Sequence, residues 1–101
     1  MAYKVIVSPR AQIEISEALE YYRIHSNIAP FVFIRSLEKS YKILESNRFF
    51  RKRYKNIRGL NIKMFPHTLF YHIDEARKVV KVLSCFHSSR NPSDRPENTG
   101  E

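Results

Sequence analysis

A chain of 101 residues can bury one hydrophobic core and is too short for two. Apolar residues make up 43% of it and aromatics 13%, which excludes a wholly disordered chain, while the single cysteine, Cys85, excludes an intrachain disulfide and a cysteine-built zinc site. The net charge of +8 points to an acidic partner, and its placement sharpens that expectation.

In chain order, Tyr3 to Val7 reads as a strand, and Ser8-Pro9 then opens a helix, Ser as the cap and Pro in the first helical position. Ala11, Ile15, Ala18, Leu19 and Tyr22 recur at spacings of three and four, which predicts an amphipathic helix to about His25. Ser26-Asn27 interrupts it. A second helix begins near Pro30, and Phe33, Ile34, Leu37, Tyr41 and Leu44 follow helical spacing, so the two form an antiparallel hairpin that ends at Ser46-Asn47. From there the period shortens. Tyr54 to Arg58, Leu60 to Phe65, Thr68 to Ile73 and Lys78 to Phe86 read as strands, with Gly59, Pro66-His67 and Asp74 to Arg77 as the separators. Leu69, Tyr71 and Ile73 share one face and Phe70 and His72 the other, so one side of the sheet packs on the helices and the other is open to a partner.

The expected fold is therefore α+β: an N-terminal strand, a two-helix hairpin, then a mainly antiparallel sheet of three to four further strands, forming one domain over 1–92. Residues 93–101 are polar and carry Pro96, which predicts a mobile tail. No stretch reaches transmembrane length, and the apolar run near the start is too short for a signal-peptide core, so a cytoplasmic protein with no membrane partner is expected.

Between Arg48 and Lys63 lie Arg48, Arg51, Lys52, Arg53, Lys55, Arg58 and Lys63, with no acid among them. Elsewhere eleven basic residues face ten acidic ones, so the excess charge is local. Such a strip suits nucleic acid or an acidic protein segment, and Arg48, Arg51, Lys52, Arg53 and Lys55 are the candidates for that contact; a solvated linker is the alternative reading. Lys63 sits in a predicted strand, and Arg58 precedes Gly59, whose permissive backbone would aim the guanidinium. Phe49-Phe50 either stacks on bases or closes the core. His67 falls in a turn and His72 on a strand face, neither with a second ligand at metal spacing, so neither metal nor cofactor is expected. Tyr71 reads as a core residue more readily than as a functional one, and Cys85 reads as a small buried hydrophobe rather than a nucleophile.

The order of strand, helical hairpin, basic link and meander resembles the RelE/ParE superfamily of toxins and plasmid stabilisation proteins. The residues that carry the likeness are Tyr3-Lys-Val, the helical stretches Ala11 to Tyr22 and Ala29 to Leu44, Ile57-Arg58-Gly59, Lys63-Met-Phe65-Pro66, Phe70 to Asp74, and Val80 to Phe86 followed by His87 to Pro92. It covers residues 3 to 92. The resemblance implies the toxin of a type II toxin-antitoxin system, neutralised by a cognate acidic antitoxin in a hetero-oligomer, which either poisons DNA gyrase or cuts messenger RNA on the ribosome without a metal. Such cleavage needs a base for the ribose 2′-hydroxyl, cations for the phosphorane and a proton donor, and Lys63, Arg58, Tyr71, His87 and Arg90 are the candidates. Ribosome-dependent members of the family usually carry arginines near the positions of Thr68 and Ser88, and a C-terminal tyrosine, none of which occurs here. The ParE-like branch is favoured on that ground. A non-catalytic basic module that binds nucleic acid or protein on the same scaffold is the alternative.

Overall fold

The computed structural model describes residues 3–88. Arg90 and the expected tail over 93–101 lie outside the described residues. The elements run β1 (Lys4–Val7), α1 (Pro9–His25), α2 (Ala29–Ser46), β2 (Lys52–Tyr54), β3 (Ile57–Asn61), β4 (His67–Asp74) and β5 (Val79–His87). They form a five-stranded sheet in the order β1-β5-β4-β3-β2, backed on one face by the helical hairpin. β2 to β5 are an antiparallel meander, and β1 returns the N-terminus to the far edge, parallel to β5 with Lys4 opposite Val79 and Val7 opposite Val82. This is the α+β arrangement that the sequence predicts.

Ser8 caps α1 as its position implies, accepting from the Ala11 amide at 3.2 Å, and Pro9 occupies the first turn. α1 buries Ala11, Glu14 and Ala18, and α2 buries Phe33, Leu37, Ser40 and Leu44, each set at the spacing that puts one helix face on the sheet. α2 starts without a side-chain cap of its own. Ser26 supplies the acceptor instead, taking the Ile28 and Ala29 amides at 3.1 Å each. Leu69, Tyr71, Val80, Val82 and Cys85 meet these helices in the main core, whereas Ile57, Phe70 and Phe86, with Leu83 beside them, form a smaller cluster on the opposite face.

A bulge in β5 makes that division possible. Phe70 lies opposite Ser84 and Tyr71 opposite Val82, so Leu83 is an extra residue and the alternation of faces reverses there. As a result Cys85 joins Val80 and Val82 on the helix side. α1 satisfies the disturbed backbone: Ser8 N–H donates to the Val82 carbonyl at 2.9 Å, Ser8 Oγ donates to the Leu83 carbonyl at 3.0 Å, and the Glu14 carboxylate accepts from Ser84 Oγ at 2.6 Å and from the Cys85 amide at 3.0 Å.

Two predicted boundaries move. The expected strands Tyr54 to Arg58 and Leu60 to Phe65 are replaced by a hairpin, with Tyr54 paired to Ile57 across Lys55-Asn56 and Lys55 at φ 50°. Gly59 consequently lies inside β3 rather than between strands. A β-carbon there would stand 3.2 Å from both Arg53 Cγ and Thr68 Cγ2, so the glycine answers a close approach of side chains and is not a turn residue aiming Arg58.

Candidate functional site

The basic segment divides into anchored and exposed members. Arg48 follows α2 and stacks its guanidinium on the Tyr3 ring at 3.6 Å, with Nη1 donating to the Glu45 carbonyl at 2.9 Å. Its own carbonyl accepts from the Tyr71 hydroxyl at 2.7 Å, so Arg48 ties the helical hairpin, β1 and β4 together. Its Nε is buried without a hydrogen-bond partner among the described residues. Arg51, Lys52, Arg53 and Lys55 are exposed, and Lys52 lies directly opposite Arg58 in the sheet. Arg58 is half-buried, with Nη1 donating to the Phe50 carbonyl at 2.6 Å and its guanidinium 5.2 Å from the Phe49 ring.

Four of the five candidate catalytic residues are described, Arg58, Lys63, Tyr71 and His87, and these four do not meet in one place. Arg58 and Tyr71 are a cross-strand pair on the helix side of the sheet. Tyr71 is fully buried, and burial raises its phenol above its ordinary range, opposed by the Phe50 backbone and the Arg58 charge, so it keeps its proton at neutral pH. Lys63 stands in the exposed turn after β3, since that strand stops at Asn61 rather than running on through Phe65. Three residue steps of β3 separate Arg58 from Asn61, about 10 Å at the rise of a strand. His87 ends β5 at the same end of the sheet as Lys63, where the Ser88 amide bonds to the Pro66 carbonyl at 2.9 Å. Arg90 is outside the described residues.

At that end the structure reveals a cavity of about 230 Å³ between α1 and the sheet, walled by Glu14, Tyr22, His67, Cys85 and His87 among others. His67 is not in a turn but opens β4 and is buried. Its Nε2 meets the Tyr22 hydroxyl at 3.2 Å, Cys85 Sγ lies 3.9 Å from Nδ1, and its ring packs edge-on to His87 with centroids 4.9 Å apart. Burial, with the Glu14 charge second, pushes the Cys85 thiol up to about 12, so no thiolate forms there near neutrality. The sequence carries little signal for this cluster, because Glu14, His67 and Cys85 are far apart along the chain and meet only through the register of β4 and β5. Among the described residues, no group of three or more His, Cys, Asp or Glu side chains has the arrangement of a metal site. No helix of the described residues is long and apolar enough to cross a membrane.

Three solved structures share the fold. The chain superposes on one from the chromosomal ParDE TA system of P. aeruginosa with a TM-score of 0.72, at 11% identity over 85% of this chain and 96% of that one. It matches the isolated E. coli RelE toxin with a TM-score of 0.55, at 19% identity over 90% and 89% of the two chains. The archaeal RelE-RelB complex from Pyrococcus horikoshii OT3 follows at 0.54, with 17% identity over 90% of this chain and 100% of that chain. No curated protein matches the sequence. At such identities the superpositions establish the architecture alone. The family profile described as the ParE toxin of the type II toxin-antitoxin system parDE matches residues 5–92, from the first strand past the last, and on that extent the chain belongs to the ParE toxin family.

Proposed function

We propose that this toxin acts in the cytoplasm on DNA gyrase, in the manner of the ParE branch, and that a cognate acidic antitoxin silences it by covering the basic segment in a toxin-antitoxin hetero-oligomer. The observation that carries the choice of target is the dispersal of the four ribonuclease candidates among the described residues. An in-line attack on a phosphodiester needs base, cation and acid within hydrogen-bond reach of one reacting group. Here Tyr71 is sealed in the core with its hydroxyl given to the Arg48 carbonyl, and Arg58 lies about 10 Å along the sheet from the end that holds Lys63 and His87. The family match supports the same branch. Solved ParDE and RelE-RelB relatives supply the precedent for a partner, and the seven cations with no acid between Arg48 and Lys63 supply the reason an acidic chain would bind.

The test has two arms. Purified toxin added to gyrase is expected to block supercoiling and to trap cleaved DNA, and an acidic protein encoded beside it is expected to reverse both effects. Cuts in translated messages, seen by primer extension after expression of the chain, with gyrase unaffected, would replace gyrase by the ribosome as target.

A further inference from the structure

A second surface lies at the opposite end of the sheet from Lys63 and His87. Two hollows adjoin there, sharing Asn56 and His72. One, of about 230 Å³, is walled by Phe49, Lys52 and Arg58; the other, of about 410 Å³, by Lys55, Lys81 and Leu83. Sheet register places these side chains on the two faces of the sheet, Lys52 opposite Arg58 on the helix side and His72 between Ile57 on β3 and Lys81 on β5 on the other, so the hollows meet around the end of the sheet at Asn56. Four cations and an imidazole thus border the two hollows at this end of the sheet, against a single acid, Glu75. Lys81 comes from outside the basic segment and joins it only through strand pairing.

Aromatic rings accompany the charge. Phe49 is 55% exposed and flanked by the guanidinium groups of Arg48 at 5.6 Å and Arg58 at 5.2 Å, and Lys55 Nζ sits 5.2 Å from the Tyr54 ring. Arg58 is held in place by the Phe50 carbonyl, so its fork is pre-oriented rather than free to sweep. Cations that track a backbone, with an exposed ring on which a base can lie, are the elements that hold single strands. An acidic peptide would use the cations equally well but would gain nothing specific from an exposed ring between two guanidinium groups.

We infer that this end of the sheet binds the phosphodiester backbone of single-stranded nucleic acid running round the edge from one hollow to the other, with Phe49 stacking on a base. The inference stands apart from the choice of gyrase as target, because it concerns direct contact between this chain and a nucleic-acid strand. The probes are fluorescein-labelled oligothymidylate and oligouridylate, titrated with the full-length toxin by anisotropy over a range of salt. With four cations engaged, the logarithm of the association constant is expected to fall against log salt with a slope of about −3. Lys52→Ala with Lys81→Ala should halve that slope and weaken binding about tenfold or more, and Phe49→Ala should weaken it by about fivefold to a hundredfold. All three side chains are exposed, and unchanged circular dichroism shows that the variants fold.

Arg35→Ala with Lys39→Ala, on the exposed side of α2, removes the same charge elsewhere and should cost little. Binding of either oligonucleotide, lost in the Lys52/Lys81 and Phe49 variants and kept in the α2 variant, carries the inference. Equal losses in both double variants would reduce it to net charge and overturn it. So would preference for a duplex, or competition by polyglutamate as effective as by the oligonucleotide together with a silent Phe49→Ala. A chain that inhibits gyrase but ignores both oligonucleotides overturns this inference alone, and one that binds them but leaves gyrase active overturns the proposed target alone.

Discussion

Glu14 is the residue whose removal tests the architecture most directly. Its carboxylate, only 7% exposed, accepts from Ser84 Oγ at 2.6 Å and from the Cys85 amide at 3.0 Å, and has Arg10 Nε 3.6 Å away. Glu14→Ala leaves a buried hydroxyl and a buried amide without their acceptor. Each such loss costs about 1–3 kcal/mol, so the variant should lose roughly 2–6 kcal/mol of a stability that for domains of this kind is about 5–15 kcal/mol. Urea unfolding followed by far-ultraviolet circular dichroism reads this as a fall in midpoint with the slope unchanged, and thermal melts should drop by more than about 10 °C. Glu14→Gln keeps a carbonyl oxygen in place to accept and should lose only about half as much. A Glu14→Ala chain within about 0.5 kcal/mol of the parent would show that the β5 bulge finds its partners elsewhere, and would refute the view that α1 secures it.

Other outcomes follow from the same geometry. Met64, 76% exposed in the turn after β3, sits at φ 74°, where glycine is free of the β-carbon clash; Met64→Gly should raise stability by up to about 1 kcal/mol, seen as a higher melting temperature. Tyr71→Phe removes the 2.7 Å bond to the Arg48 carbonyl and should cost about 1 kcal/mol in urea unfolding. Cys85 should resist a thiol reagent such as dithionitrobenzoate at pH 8 until the chain is unfolded, because burial holds its thiol at about 12 and shields it. The Cys85 and Tyr41 acids are both pushed up to about 12, mainly by burial, from ordinary values of 9.0 and 10.0. The unfolded chain therefore releases those protons first, and stability should be full below pH 9 and fall as the pH rises toward 12. A flat profile across that window, measured by urea unfolding, would contradict the burial of both groups.

The helices were legible in the sequence because their signals are local. Ser8-Pro9 is a start signal in two adjacent residues, and the three-and-four spacing from Ala11 to Tyr22 and from Phe33 to Leu44 needs no knowledge of the rest of the chain. The middle strands were less so. Gly59 looks like a separator, but in the sheet it is a strand residue crowded by Arg53 and Thr68, while the turn falls at Lys55-Asn56, where a lysine carries the positive φ. Likewise Lys63 reads as a strand residue until Ile62 N–H is seen bonding to the His67 carbonyl, which closes the strand before it.

Composition, periodicity and charge placement determined by themselves an α+β fold with a helical hairpin and a concentrated basic segment, since each of those properties is additive along the chain. Which candidate residues meet was decided only by the tertiary structure. Strand register pairs Arg58 with the buried Tyr71, and the bulge at Leu83 turns Cys85 toward Glu14 and His67. The chain-order strand pairing β5-β4 then brings Lys81 into line with His72, beside a charge cluster more than twenty residues away. A shift of one residue in any of these pairings would send every side chain to the other face, and nothing within a single strand specifies that choice.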